Sequence, residues 1–124
     1  MKIPASDNVH LTFCLNAFPS PRPDTLSNFC DQTLRPIREQ SGCTGRLGWG
    51  LWLDRQSARQ FTDPARSAAL CTSLAQHGFY LFTLNGFPYG TFHGSRIKEQ
   101  VFYPDWTSDQ RLNYTLELAR ILCA

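Results

Sequence analysis

The chain has 124 residues, 42% of them hydrophobic and 18% charged, which suits one globular domain or a piece of one and argues against a disordered segment. Its 12 basic and 10 acidic residues leave a net charge of +2, and the basic ones are scattered, which argues against nucleic acid as the main partner. No apolar run approaches the roughly 20 residues of a membrane span, and the opening "MKIPASDNVH" lacks the apolar core of a secretory signal, so the expectation is a cytoplasmic protein without membrane insertion.

In chain order, "HLTFCLNAF" alternates Leu11, Phe13, Leu15 and Ala17 with Thr12, Cys14 and Asn16, and reads as a first strand covered on both sides. After the turn "PSPRPD", Asp24 is placed as the N-cap of a helix with Leu26, Phe29, Cys30, Leu34 and Ile37 on its apolar stripe and Pro36 kinking or shortening its end. "LGWGLWL" is a second strand, with Trp49, Leu51 and Leu53 on one face and Gly48, Gly50 and Trp52 on the other. A short helix is expected to start at Asp54 or Ser57. A longer one is capped by Asp63, carries Pro64 in its first turn and stops at Gly78.

"FYLFTLN" is the third strand, and a long loop follows it. Thr107 and Gln110 then have the spacing of a capping box, and Leu112, Leu116, Ala119 and Leu122 are read as the core stripe of a final helix. Cys14, Cys30, Cys43, Cys71 and Cys123 are odd in number and form no C-x-x-C pair. They read as small buried hydrophobes with reduced thiols, not as a zinc site or a disulfide framework.

Helices between apolar strands imply parallel βα units with right-handed crossovers, and hence an α/β fold. Three such units cannot close a barrel, so the expectation is an incomplete fragment of a larger (β/α) protein, or self-assembly of copies. In parallel folds the loops at the carboxyl ends of strands carry the site. Asn16, Asp54 and Asn85 are expected to converge there, joined by Gly86, Tyr89, His93, Arg96, Lys98, Glu99, Asp105 and Trp106 from the third loop. That loop is long and aromatic, so it is expected to be ordered and functional. Several of these residues also have a local reading: the asparagines as turn-formers, His93 as a structural hydrogen bonder, Lys98 or Glu99 as surface charge, and Asp105 with Trp106 as a brace for the last helix.

The segment "NGFPYGTFHG", Asn85 to Gly94, with "KEQV" and "PDW" downstream, "HLTFCLNAF" and "GLWL" before it and "RLNYTLELARIL" after it, resembles the N-terminal third of the metabolite-traffic protein EboE family. That family belongs to the xylose-isomerase-like TIM-barrel group of sugar phosphate isomerases and epimerases. The resemblance implies a (β/α)8 TIM barrel of which this chain, as one domain or N-terminal fragment, supplies the first three units, with Asn85, Tyr89 and His93 at the mouth. It also implies a small polyhydroxylated or phosphorylated metabolite, a divalent metal held mainly by residues beyond this chain, and other proteins of a metabolite-export pathway as partners. If the chain is catalytic, the implied chemistry is proton abstraction next to a carbonyl. His93 and Glu99 would assist proton transfer, and Asn16, Asn85, Gly86, Tyr89, Lys98 and Trp106 would bind substrate. The rival is a non-catalytic carrier or scaffold that uses the same mouth.

Overall fold

The computed structural model describes residues 10, 12–87, 89–90 and 102–124. Strands β1 (Thr12–Cys14), β2 (Leu47–Trp52) and β3 (Phe79–Asn85) form a parallel sheet in the order β1-β2-β3. Helical segment α1, residues 23–40, crosses from β1 to β2. Helices α2 (Arg55–Phe61) and α3 (Pro64–Gln76) cross from β2 to β3, and α4 (Asp109–Leu122) follows the last loop. The expected α/β class with parallel strands is therefore present.

The described helices all lie on one side of the sheet. A single buried cluster joins Leu15, Trp49, Leu51, Leu53 and Phe79 to Leu26, Cys30 and Leu34 of α1, Ala58 and Phe61 of α2, Leu70 and Leu74 of α3, and Tyr114, Leu118 and Ile121 of α4. Each fully buried side chain of this size contributes about 1.5–3 kcal/mol relative to exposure. The pleat of β2 divides as its sequence dictates, with Trp49, Leu51 and Leu53 on the helix side. On the other side a Cβ added to Gly50 would meet Thr83 Oγ1 at 3.2 Å and Cys14 Cα at 3.6 Å, so glycine there lets the neighbouring strands close up.

A bulge corrects the phase of β3. Trp49 pairs with Leu81 but Gly50 pairs with Thr83, which leaves Phe82 as an extra residue. Leu84 is thereby kept on the side of Phe79 and Leu81, where Phe79 is in the core and Leu81 and Leu84 pack against it. Phe82 instead stacks on His10 at 5.1 Å, and the His10 Nδ1 hydrogen-bonds the Tyr80 hydroxyl at 2.7 Å.

The covering of β1 differs from expectation. Its three residues are all exposed, Phe13 at 40% although it pairs with Trp49 of the helix side, and only Leu15, just past its end, is fully buried: β1 is an outer strand of the sheet. Leu11 lies outside those residues.

Helix starts follow local chemistry with two corrections. Asp54 caps α2 by accepting from Ser57 N–H at 2.7 Å, and Asp63 caps α3 by accepting from Arg66 N–H at 3.0 Å. Gly78, at φ 78°, turns the chain from α3 into β3 in the left-handed region. Asp24, however, sits inside the first turn of α1, and Arg22 precedes it as the N-cap, because Pro23 supplies the helical φ one residue earlier. Ser108, not Thr107, caps α4 by accepting from Gln110 N–H at 3.2 Å, since Thr107 already donates twice to Asp105.

Pro36 neither ends nor breaks α1. A π-helical stretch, Cys30–Leu34, widens the helix just ahead of it, and the α-helical Arg35–Gln40 then runs on. The wider turn makes room for the proline ring and for the amide bond it cannot donate.

The core stripe of α4 is also rotated from expectation. Arg111, Tyr114, Leu118 and Ile121 are buried, whereas Leu112 is 52% exposed, Leu116 45%, and Ala119 and Leu122 are exposed as well. Two stripes on this helix have apolar spacing. The one carrying the aromatic ring and the arginine faces inward, where both find partners.

Candidate functional site

Parallel register brings the three strand ends to one edge. Cys14 pairs with Gly50 and Trp52 with Asn85, so Asn16, Asp54 and Asn85 follow their strands at the same end of the sheet. The loop after β1 is fastened to the end of β2. Trp52 Nε1 donates to the Phe18 carbonyl at 2.9 Å, Asp54 N–H donates to Ser20 Oγ at 3.1 Å, and Arg22 Nη2 lies 3.6 Å from Asp54 Oδ2.

The three residues then differ in what they have left to offer. Asp54 is buried, and both carboxylate oxygens are engaged, by the Ser57 amide and by Arg22. It is a structural anchor of the edge. Asn85 Oδ1 accepts from Phe87 N–H at 3.1 Å, the local turn that its residue type favours, which leaves its amide nitrogen unbonded among the described residues. Asn16 Oδ1 is buried with no hydrogen-bond partner among the described residues. An orphaned buried oxygen costs about 1–3 kcal/mol, so Asn16 stands out at this edge.

The loop after β3 is held from beneath by a residue the sequence reading passed over. Arg111, 4% exposed, donates from Nε to the Pro104 carbonyl at 2.8 Å and from Nη1 to the carbonyls of Gly86 at 3.0 Å and Phe87 at 3.3 Å. Both ends of the loop are thus tied to one guanidinium, whose charge also lies 5.6–6.0 Å from the ring centroids of Tyr89, Tyr114 and Trp106. One turn further along α4, the Tyr114 hydroxyl donates to the Leu53 carbonyl at the end of β2. Burial raises the pKa of this phenol, with the Arg111 charge partly offsetting the rise. The one available signal was the R-x-x-Y spacing in "RLNY", which puts Arg111 and Tyr114 on one helix face.

Among the loop residues chosen from sequence, Gly86 gives its carbonyl to Arg111, and a Cβ there would meet Leu118 Cδ1 at 3.2 Å. Tyr89 packs edge-on against Tyr114 at 5.4 Å, and its carbonyl accepts from Arg55 N–H at 2.9 Å, docking the loop on α2. Trp106 is 73% exposed and, with Phe87, Phe102, Asp105, Arg111 and Thr115, lines a cleft of about 480 Å³. Asp105 braces the entry to α4 by accepting from the Thr107 hydroxyl and amide, and these bonds hold its carboxyl below the usual range. His93, Arg96, Lys98 and Glu99 lie outside the described residues.

Among the described residues no group of three or more His, Cys, Asp or Glu converges in a way that would hold a metal, and the one rim carboxylate, Asp54, is already engaged. The described residues do not fit a metal centre on their own. No described cysteine forms a disulfide. Cys30 alone is fully buried while Cys14 and Cys123 are exposed, so the expectation of five buried thiols holds for one of them. Among the described residues no helix is long and apolar enough to cross a membrane. No family model matches the chain, and neither a curated protein nor a solved structure matches it.

Proposed function

We propose that this chain forms the first three units of a (β/α)8 barrel of the EboE type, within the xylose-isomerase-like group, and that its strand-end edge binds a small polyhydroxylated or phosphorylated metabolite. The observation that carries the reading is the edge itself: Asn16, with an orphaned amide oxygen, and Asn85, with an uncommitted amide nitrogen, stand at the same end of a parallel sheet, on its two outer strands with the end of β2 between them. An acceptor and a donor so placed suit the hydroxyls of a polyol, and ligands of parallel α/β folds bind at this end.

Two further features support continuation of the barrel. Among the described residues the sheet bears helices on one side only, as a barrel wall does, and α4 carries a second apolar stripe, Leu112, Leu116 and Ala119, turned to solvent where a neighbouring helix would pack. If the complete protein is an isomerase or epimerase, a base takes the proton from the carbon next to a carbonyl and the electron pair moves onto the carbonyl oxygen as an enediolate. The proton then returns at the neighbouring carbon or on the opposite face. His93 and Glu99 would assist that transfer, and the principal base would come from later strands. The same edge without a working base gives the second reading, a carrier in a metabolite-export pathway.

The test is titration of the chain with neutral polyols and ketoses, followed by calorimetry. The reading expects saturable binding that Asn16→Ala and Asn85→Ala each weaken by about tenfold. Unchanged affinity in both variants contradicts it. Exchange of substrate C–H protons with heavy water separates the enzyme from the carrier.

A further inference from the structure

Three arginines that look scattered in the sequence meet in space. Arg55 and Arg59 stand one turn apart on α2, and Arg66 comes from the first turn of α3 across a short connection. With Gln56, Gln60 and Tyr89 they line a groove of about 690 Å³, within the range of small-molecule sites. Among the described residues none of the three is paired with a carboxylate. Asp63, the nearest acid in sequence to Arg59 and Arg66, is used to cap α3. Asp54, which also lines the groove, is buried and engaged by Ser57 and Arg22. Like charges at this helical spacing repel by a few tenths of a kcal/mol, and among the described residues only Arg55 has a side-chain partner, the Tyr89 ring.

Gln60 supplies a second, independent observation. The residue lines the same groove, and its Oε1 is buried with no hydrogen-bond partner among the described residues. Guanidiniums want an oxyanion, and a buried amide oxygen wants a hydroxyl or N–H. One ligand class satisfies both demands: a phosphate ester whose organic part carries hydroxyl groups. The open groove and the small net charge of +2 do not suit a long polyanion.

We infer that the α2–α3 groove is a binding site for the phosphate group of a small hydroxylated phosphate ester, with Arg55, Arg59 and Arg66 holding the phosphate and Gln60 accepting from an adjacent hydroxyl. Arg55 is the best oriented of the three, because its guanidinium lies 5.6 Å from the Tyr89 ring centroid while its own amide holds the Tyr89 carbonyl. The site deepens the reading above by naming the charge its ligand carries, yet it depends on the groove alone and not on closure of a barrel.

The experiment titrates the full chain with inorganic phosphate, glucose 6-phosphate and neutral glucose. Expected is saturable binding of both phosphates, tighter for the ester, weakened by about tenfold for each of Arg59→Gln and Arg66→Gln. Arg120→Gln, an equal change of charge on the exposed end of α4, should leave it unchanged, and Gln60→Leu should abolish the advantage of the ester. Should a variant fail to fold, the Nε–Hε resonances of Arg55, Arg59 and Arg66 in the unmodified chain must still shift saturably with glucose 6-phosphate. Absence of saturable phosphate binding, or an equal loss in Arg120→Gln, overturns the site. Loss of phosphate binding in the arginine variants with polyol binding at the strand-end edge intact separates the fate of this site from that of the edge.

Discussion

On the helix side of the sheet Trp49, Leu51, Leu53 and Phe79 are wholly buried, whereas on the opposite side Phe82 is 40% exposed and Thr12, Cys14 and Thr83 are also open to solvent, the large side chain buried there being Trp52, which donates to the Phe18 carbonyl of the loop after β1. Both sides belong to the same three strands, and the sequence of β3, "FYLFTLN", is about as apolar on one as on the other. The difference teaches that apolarity alone does not locate a core: a layer must cover it. The bulge at Phe82 makes the division visible, since it spends a residue to keep Leu84 on the covered side.

The largest expected effect separates the two sides directly. Leu51→Ala should cost about 3 kcal/mol in urea unfolding, because the helices around it close poorly over the cavity. Phe82→Ala should cost under about 1 kcal/mol, as an open site with few packed neighbours. Equal losses would mean that the second side is as well covered as the first.

A smaller effect sharpens the comparison at the boundary between core and loop. Arg111→Lys should lower stability by about 2 kcal/mol, since an ammonium cannot bond the carbonyls at both ends of the loop at once or lie flat between rings. The same change at exposed Arg120 should be nearly neutral, and denaturant midpoints of the two variants decide the point.

The smallest effect is a pH dependence set on the covered side. Burial, and next to it the charge of Asp31, pushes the Cys30 thiol from 9.0 up to about 11. A raised folded value means that the unfolded chain gives up the proton first, so stability is intact below 9.0 and declines as pH rises from there to about 11. Cys30→Ala should flatten that part of the stability profile.

The strands and two of the helix caps were legible because their signals are local. The apolar run of β3, and Asp63, Pro64 and Gly78 around α3, each act through their own backbone. What the sequence hid depends on distance. Arg111 is buried because carbonyls at 86, 87 and 104 receive it, and no periodicity in α4 announces that; the same contacts turn Leu112 and Leu116 outward. The common edge of Asn16 and Asn85 could be inferred from parallel crossovers, but Asn85's turn and Asn16's missing partner could not. The gathering of Arg55, Arg59 and Arg66 needed the angle between two helices that only the packing of Phe61 and Leu70 provides.

The most direct test of one-sided covering is the rate at which iodoacetamide modifies Cys14 compared with Cys30, followed by peptide mapping. One thiol lies on the uncovered side and the other beneath the helices. Cys14 should react nearly as fast as in the denatured chain, and Cys30 only as fast as the protein unfolds. A Cys14 as protected as Cys30 would contradict the account.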